Sequence, residues 1–248
     1  MREFFCGILS VFFRGFCDSP RFESKREVKI GGNTPRSGNA GTSRRNSGSD
    51  RTVGMKGRMF TGIITNLGKV ITKTNKTLTI STTGKFLSKL KKGTSVAVNG
   101  ACLTIVNVQK NAFTVGLMPE TIKRTNILQA ELVNLELPVT PQSFLSGHLI
   151  QGHIDGMGKI EKITSQMLKV TVASSVARYL IEKGSITING ISLTVIKAEK
   201  NYFTVGIIPH TFTQTNLHIL KKGGYINIEV DILAKYVKKY CHCGNFVS

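Results

Sequence analysis

The sequence predicts an all-β protein: two tandem six-stranded Greek-key β-barrels of similar sequence, a short C-terminal helix, and a disordered N-terminal extension. Three observations carry that expectation. The chain repeats itself at a domain-sized interval, the repeating part consists of short alternating runs of β-branched residues, and the first 58 residues share neither property.

Sliding the sequence by 90 positions lays Asn99-Gly100-Ala101-Cys102-Leu103-Thr104 onto Asn189-Gly190-Ile191-Ser192-Leu193-Thr194. The register then holds to Asn126 and Asn216, with half of the 28 positions identical. The same offset pairs Gly62 with Gly152 and Gly68-Lys69 with Gly158-Lys159. A three-residue insertion shifts it to 93, aligning Val133-Asn134-Leu135-Glu136 with Ile226-Asn227-Ile228-Glu229. A period this long exceeds any solenoid unit and marks a duplicated domain. The expected division is an N-terminal barrel over 59–148, a C-terminal barrel over 149–231, and a helix and tail over 232–248.

The strands come from runs such as Thr77-Leu78-Thr79-Ile80, Ser95-Val96-Ala97-Val98 and Phe113-Thr114-Val115-Gly116, each with its partner in the second copy. Asn-Gly, Lys-Asn and Lys-Gly turns separate them. Half a dozen such strands per copy leave no exposed edge if they close into a barrel. Helix is expected only over 86–91 and 176–182, before each Lys-Gly, and over 232–240.

The extension differs in composition. Residues 1–58 hold nine Arg and three Lys against five acidic groups, whereas the remainder holds twenty Lys and two Arg, Arg124 and Arg178, against nine. The formal charge of +20 therefore divides into +7 and +13. The lysines alternate with apolar residues and no aromatic stripe accompanies them, so they read as a solvated surface and not a nucleic-acid face. Residues 30–58 have almost no apolar side chain to bury and read as disordered. The apolar stretch within 1–17 matches secretory and organellar presequences poorly, and the shift from Arg to Lys falls where patterned sequence begins. Residues 1–58 are therefore read as an upstream mis-translated start or a dispensable leader ahead of a working start at Met59, with a targeting peptide as the alternative. No run reaches the roughly 18–20 apolar residues of a membrane span, and a soluble, cytoplasmic protein without membrane or nucleic-acid partners is expected.

Positions that differ between copies while their surroundings match are candidates for divided labour. Cys102 faces Ser192, Ile63 faces His153, and Glu120 faces His210. Cys102 follows an Asn-Gly turn, where a thiol either projects into a barrel mouth or packs as a small core residue. His148 and His153 lie five apart among glycines at the junction of the copies. No carboxylate or thiol stands near them at metal-site spacing, and Cys241-His242-Cys243 lacks a second ligand pair, so no metal is expected. Five cysteines, unevenly placed, imply no disulfide framework. Asp231 reads as an N-cap of the last helix, with a catalytic role as the alternative. Pro119-Glu120-Thr121 and Pro209-His210-Thr211 read as strand-end turns whose backbone groups suit a hydrogen-bonding ring edge. The residues alone lead to a duplicated barrel protein with two related small-molecule sites.

Six separated motifs go further: Met59-Phe60-Thr61-Gly62-Ile63-Ile64, Val98-Asn99-Gly100-Ala101-Cys102-Leu103-Thr104, Met118-Pro119-Glu120-Thr121, Gly147-His148-Leu149-Ile150-Gln151-Gly152-His153-Ile154-Asp155-Gly156, Ile188-Asn189-Gly190-Ile191-Ser192-Leu193-Thr194 and Asn227-Ile228-Glu229-Val230-Asp231. In order and spacing they resemble the riboflavin synthase α-chain family, the lumazine-binding tandem-barrel proteins. The resemblance implies dismutation of two molecules of 6,7-dimethyl-8-ribityllumazine into riboflavin and 5-amino-6-(ribitylamino)uracil, by transfer of a four-carbon unit and without cofactor or metal. It implies a homotrimer in which the N-terminal barrel of one subunit faces the C-terminal barrel of the next, weakened by the short tail after Tyr240, and it leaves association with a lumazine synthase open. Cys102, Ser95 and His153 become the acid-base and nucleophilic candidates, with Asp231 in support. The first-barrel pocket would use Gly62, Ile63, Ile64, Cys102, Leu103, Thr104, Gly116, Leu117, Met118, Pro119, Glu120 and Thr121. The second would use Gly152, His153, Ile154, Lys183, Ser192, Leu193, Thr194, Gly206, Ile207, Ile208, Pro209, His210 and Thr211. A non-catalytic lumazine- or flavin-binding protein of the same fold is the alternative.

Overall fold

The structure, a computed structural model, describes residues 59–241. The extension over 1–58 and the tail beyond Cys241 lie outside the described residues.

The first copy supplies β1 (Asn66–Lys73), β2 (Thr77–Ser81), β3 (Ser95–Val98), β4 (Ala101–Val108), β5 (Ala112–Gly116) and β6 (Leu132–Glu136). They close in the order β1-β2-β5-β4-β3-β6, every pairing antiparallel. The second copy supplies β7 (Gly156–Ile163), β8 (Met167–Thr171), β9 (Ser185–Ile188), β10 (Ile191–Ala198), β11 (Tyr202–Gly206) and β12 (Tyr225–Val230). Its order, β7-β8-β11-β10-β9-β12, is the same circuit. The β3–β4 and β9–β10 hairpins turn on Asn99-Gly100 and Asn189-Gly190, whose four φ angles are all positive, as a two-residue turn that matches strand twist requires.

Alternation decides what each barrel buries. Along β4, Ala101, Leu103 and Ile105 point inward while Cys102, Thr104 and Val106 point outward; β10 repeats this with Ile191, Leu193 and Val195 inside. Phe113 and Phe203 sit fully buried at matching depth, with Ile80 and Val170 opposite them. Each such side chain stabilises its barrel by about 1.5–3 kcal/mol.

The helices differ from expectation. In place of helices over 86–91 and 176–182, single turns form at α1 (Gly84–Leu87) and α3 (Ser174–Ala177). The chain then continues through i→i−3 bonds, Lys89 N–H to Phe86 O and Leu90 N–H to Leu87 O, which seat Phe86, Leu87 and Leu90 in the core without a longer helix. The Pro-Glu-Thr and Pro-His-Thr turns are helical: α2 (Pro119–Arg124) and α4 (Pro209–Gln214). Proline at the first helical position needs no N–H donor and presets φ, so it starts a helix there. A 3-10 turn (Asn216–Ile219) follows α4, and α5 (Ile232–Cys241) ends the described chain.

The barrels meet through six buried asparagines. Asn134 Nδ2 donates across the seam to Asn189 O (2.9 Å), and Asn227 Nδ2 returns the bond to Asn99 O (2.9 Å). Asn126 N–H donates to Asn227 Oδ1 and Asn216 N–H to Asn134 Oδ1, each at 2.8 Å. Phe60 and Ile150, from the segments leading into the two barrels, exchange backbone hydrogen bonds of 2.8 and 3.2 Å. Among the described residues no helix is long and apolar enough to cross a membrane.

Candidate active site

Two buried glutamates organise the seam. Glu136 Oε1 accepts from Thr61 N–H and Thr61 Oγ1 (both 2.7 Å), and its Oε2 accepts from Gly62 N–H (3.0 Å). Glu229 accepts from the amides of Gln151 (2.8 Å) and Gly152 (3.0 Å). Burial pushes both carboxyls upward in pKa, and the N–H donors oppose it by favouring the ionised form. Each glutamate pins the segment that enters its own barrel.

Beyond the pin, each segment reaches into the other barrel. Gly62 O accepts from Ser192 N–H (3.0 Å), and Gly152 O accepts from Cys102 N–H (2.9 Å). Ile64 packs against the second core and Ile154 against the first. Gly62 and Gly152 have φ of +78° and +79°, and a Cβ on them would stand 2.6 Å from Ser192 N and 2.5 Å from Cys102 Cβ. Only glycine permits that approach.

The exchange assembles a cavity of about 290 Å³ from both copies: Cys102 from β4, Glu120, Thr121 and Arg124 from α2, and Gly152, His153 and Ile154 from the second copy's leading segment. Cys102 and His153 thus share one chamber. Arg124 pairs with Glu120, lowering the carboxyl's pKa and raising its own, and its Nη1 donates to Asp155 O (3.4 Å) at the edge of the second copy. This places a solvent-exposed Arg124–Glu120 ion pair at the cavity wall.

Around Ser192 the chemistry is different. His148 Nδ1 lies 2.8 Å from Ser192 Oγ, and its Nε2 lies 3.0 Å from Thr187 Oγ1. Burial pushes the His148 imidazole down in pKa, and the charge of Asp231 opposes this. Thr187 faces Ser192 across β9 and β10 just as Ala97 faces Cys102 across β3 and β4.

The model of the Lumazine binding domain matches the chain twice, over residues 61–138 and 151–231. The chain is 42% identical to the riboflavin synthase of Actinobacillus pleuropneumoniae, over 73% of its own length and 89% of the relative's. It is 35% identical to that of Bacillus subtilis, over 75% and 92%. The chain belongs to the riboflavin synthase family. Among solved structures, LumP complexed with 6,7-dimethyl-8-(1'-D-ribityl) lumazine superposes with a TM-score of 0.60 at 23% identity, covering 69% of this chain and 98% of that one, which speaks for the fold alone.

Within this family member the expected pocket residues fall into distinct places. Gly62 and Ile64 do not join Cys102: they lie against the second barrel, and Gly152, His153 and Ile154 take that position, because the leading segments are exchanged. The Cys102 thiol does not enter a barrel mouth; alternation puts it on the outer wall, against Phe60, Ala97 and Ile150. Leu103, Leu193, Leu117 and Ile207 are buried in the two cores. Thr104 and Thr194 are exposed on the outer wall, Gly116 and Gly206 end their strands, and Met118 and Ile208 stand exposed before Pro119 and Pro209. Glu120 lines the cavity; His210, its counterpart, is exposed, and Thr211 is half-buried. Lys183 is exposed with φ +65° at a turn where the first copy has Gly93.

Ser95 and Asp231 do not line the chamber of Cys102. Ser95 lines a cavity of about 540 Å³ with Ile63, Lys89 and Lys91, and Asp231 lines one of about 560 Å³ with Ser185 and α5. Asp231 Oδ1 accepts from Leu233 N–H (2.9 Å), the N-cap geometry. Sequence reasoning passed over Arg124, Thr187 and the Glu136–Glu229 pair. The glutamates carried a signal, since they align at the offset of 93 and stand at burial-favouring strand positions. Among the described residues no group of three or more His, Cys, Asp or Glu is arranged to hold a metal ion.

Proposed function

We propose that the protein is a riboflavin synthase, which dismutates two molecules of 6,7-dimethyl-8-ribityllumazine into riboflavin and 5-amino-6-(ribitylamino)uracil. The observation that carries this is the chamber in which Cys102 and His153, contributed by different repeats, meet beside Arg124. The reaction moves a four-carbon unit between identical molecules with no net gain or loss of atoms. It therefore needs orientation, proton movement and stabilisation of a carbanion, not an external oxidant.

The groups suit those tasks. His153 is the candidate to exchange the proton of the C7 methyl and Cys102 is the candidate nucleophile at the partner ring, beside the Arg124–Glu120 ion pair. Ser192 and the exposed edge of α4 supply a second, chemically different ring site. Under this reading the enzyme is a cytoplasmic homotrimer, the first barrel of one copy facing the second barrel of the next, with Ser95 and Asp231 acting at that contact. Exposed apolar groups, Ile63 and Phe144 on the first copy and Leu233 and Val237 on α5, are surface such an assembly would cover.

Incubating purified protein with 6,7-dimethyl-8-ribityllumazine should produce riboflavin absorbance. Binding of the lumazine without turnover would instead favour a non-catalytic binding protein of the same fold.

A further inference from the structure

The seam holds one polar cluster that the chemistry of Cys102 and His153 leaves unused. We propose that His148 is a positioning residue of the second site, fixing the Ser192 hydroxyl as a hydrogen-bond donor toward an acceptor atom of the ring bound there. The identity of that ring rests on the proposed function; the geometry of the donor does not.

Thr187 is fully buried, and its hydroxyl stands 3.0 Å from His148 Nε2. A buried hydroxyl proton without an acceptor is costly, so Thr187 donates to Nε2, which must then carry no proton. A neutral imidazole has its single proton on the other nitrogen, so Nδ1–H donates to Ser192 Oγ across 2.8 Å. Ser192 is thereby engaged as an acceptor, and its own proton points away from the histidine. The imidazole is engaged at both nitrogens by side chains of two neighbouring strands of one wall, Ser192 of β10 and Thr187 of β9.

At the corresponding places in the first barrel, Ala97 stands for Thr187 and Cys102 for Ser192. A thiol is a weaker donor than a hydroxyl, and Ala97 carries no side-chain hydroxyl where Thr187 has one. Two copies of one heterocycle would consequently be read differently, by an oriented O–H in the second barrel and by sulfur in the first. That is a physical route by which a protein with two related cavities assigns identical molecules to unequal roles.

The test uses the full chain, labelled with 15N-histidine and titrated with 6,7-dimethyl-8-ribityllumazine and riboflavin by fluorescence. The His148 spectrum should show a protonated Nδ1 and a bare Nε2. His148→Leu should weaken one of two binding steps roughly tenfold and leave the other unchanged, as loss of one oriented hydrogen bond does. His148→Asn, which keeps an amide donor near Nδ1, should recover most of the loss, and Thr187→Val should fall between. His148→Leu combined with Ser192→Ala should bind no more weakly than Ser192→Ala alone. An Nε2–H tautomer overturns the proposal, as does His148→Leu binding both equivalents normally, or the two substitutions multiplying. A native protein that binds neither ring would sink the proposed function instead, and the imidazole spectrum would still decide the tautomer.

Discussion

The two barrels share an interior and differ on one strip of their outer walls. Leu78, Val96, Phe113 and Val115 in the first are matched by Leu168, Ile186, Phe203 and Val205 in the second, all fully buried. On the outward face of the same strands the first presents Ala97 and Cys102, the second Thr187 and Ser192. A close-packed interior tolerates little change of volume, while a wall position at a seam can change its chemistry freely. The pair Cys102 and Ser192 lies where the leading segment of the opposite copy runs, and that is where the candidate catalytic groups are found.

Erasing the difference is the strongest way to break the comparison. Cys102→Ser makes the walls alike at the reacting position and should slow riboflavin formation by about 10²-fold, the usual reach of one acid-base or nucleophilic group, with ligand binding retained. Adding Ser192→Cys asks whether the role follows the residue or the barrel; the double variant should remain slow, because His148 and Thr187 stay with the second wall. An unchanged rate for Cys102→Ser would remove the thiol from the reaction.

The next effect is on stability. Gly152→Ala puts a side chain at positive φ against Cys102 and should destabilise the protein by at least about 1–3 kcal/mol in urea titration, while Gly84→Ala, which meets nothing within 4 Å, should not destabilise it. Lys183→Gly relieves a left-handed lysine where the first copy already has glycine, and should raise stability by up to about 1 kcal/mol.

The smallest effect separates the histidines. The folded-state pKa of His148 is depressed by burial, so the unfolded chain binds its proton more readily. Its contribution to stability is full above the ordinary histidine range near 6.5 and is lost as pH falls through the depressed value. The native protein should lose stability over that interval relative to His148→Asn; parallel urea midpoints for the two would contradict the assignment.

Much of the fold was legible because its signals are local. Period-two alternation, Asn-Gly turns and the repeat itself fix strands and closure, and alternation along Ala101-Cys102-Leu103 contained the outward direction of the thiol as well. The exchange of leading segments was not legible. Gly62 and Gly152 belong to near-identical surroundings, and each would fit either copy by local pattern; only the long-range contact of Gly62 with Ser192 and Gly152 with Cys102 decides. Pairing Cys102 with Gly62 followed the repeat and so assigned the wrong segment. The His148 cluster had a signal, the change from Ala97 to Thr187 at the same offset, but a conservative-looking substitution gains meaning only when a ring is seen between two hydroxyls.

The crossed segments also explain why the copies are joined in one chain. A lone barrel would have its Gly62 segment with no foreign wall to lie on, and two such barrels would complete each other as a symmetric pair that falls apart on dilution. In that pair every substitution would occur twice, so a thiol on one side would force a thiol on the other. Covalent linkage keeps the partners together at any concentration and lets a mutation strike one half only.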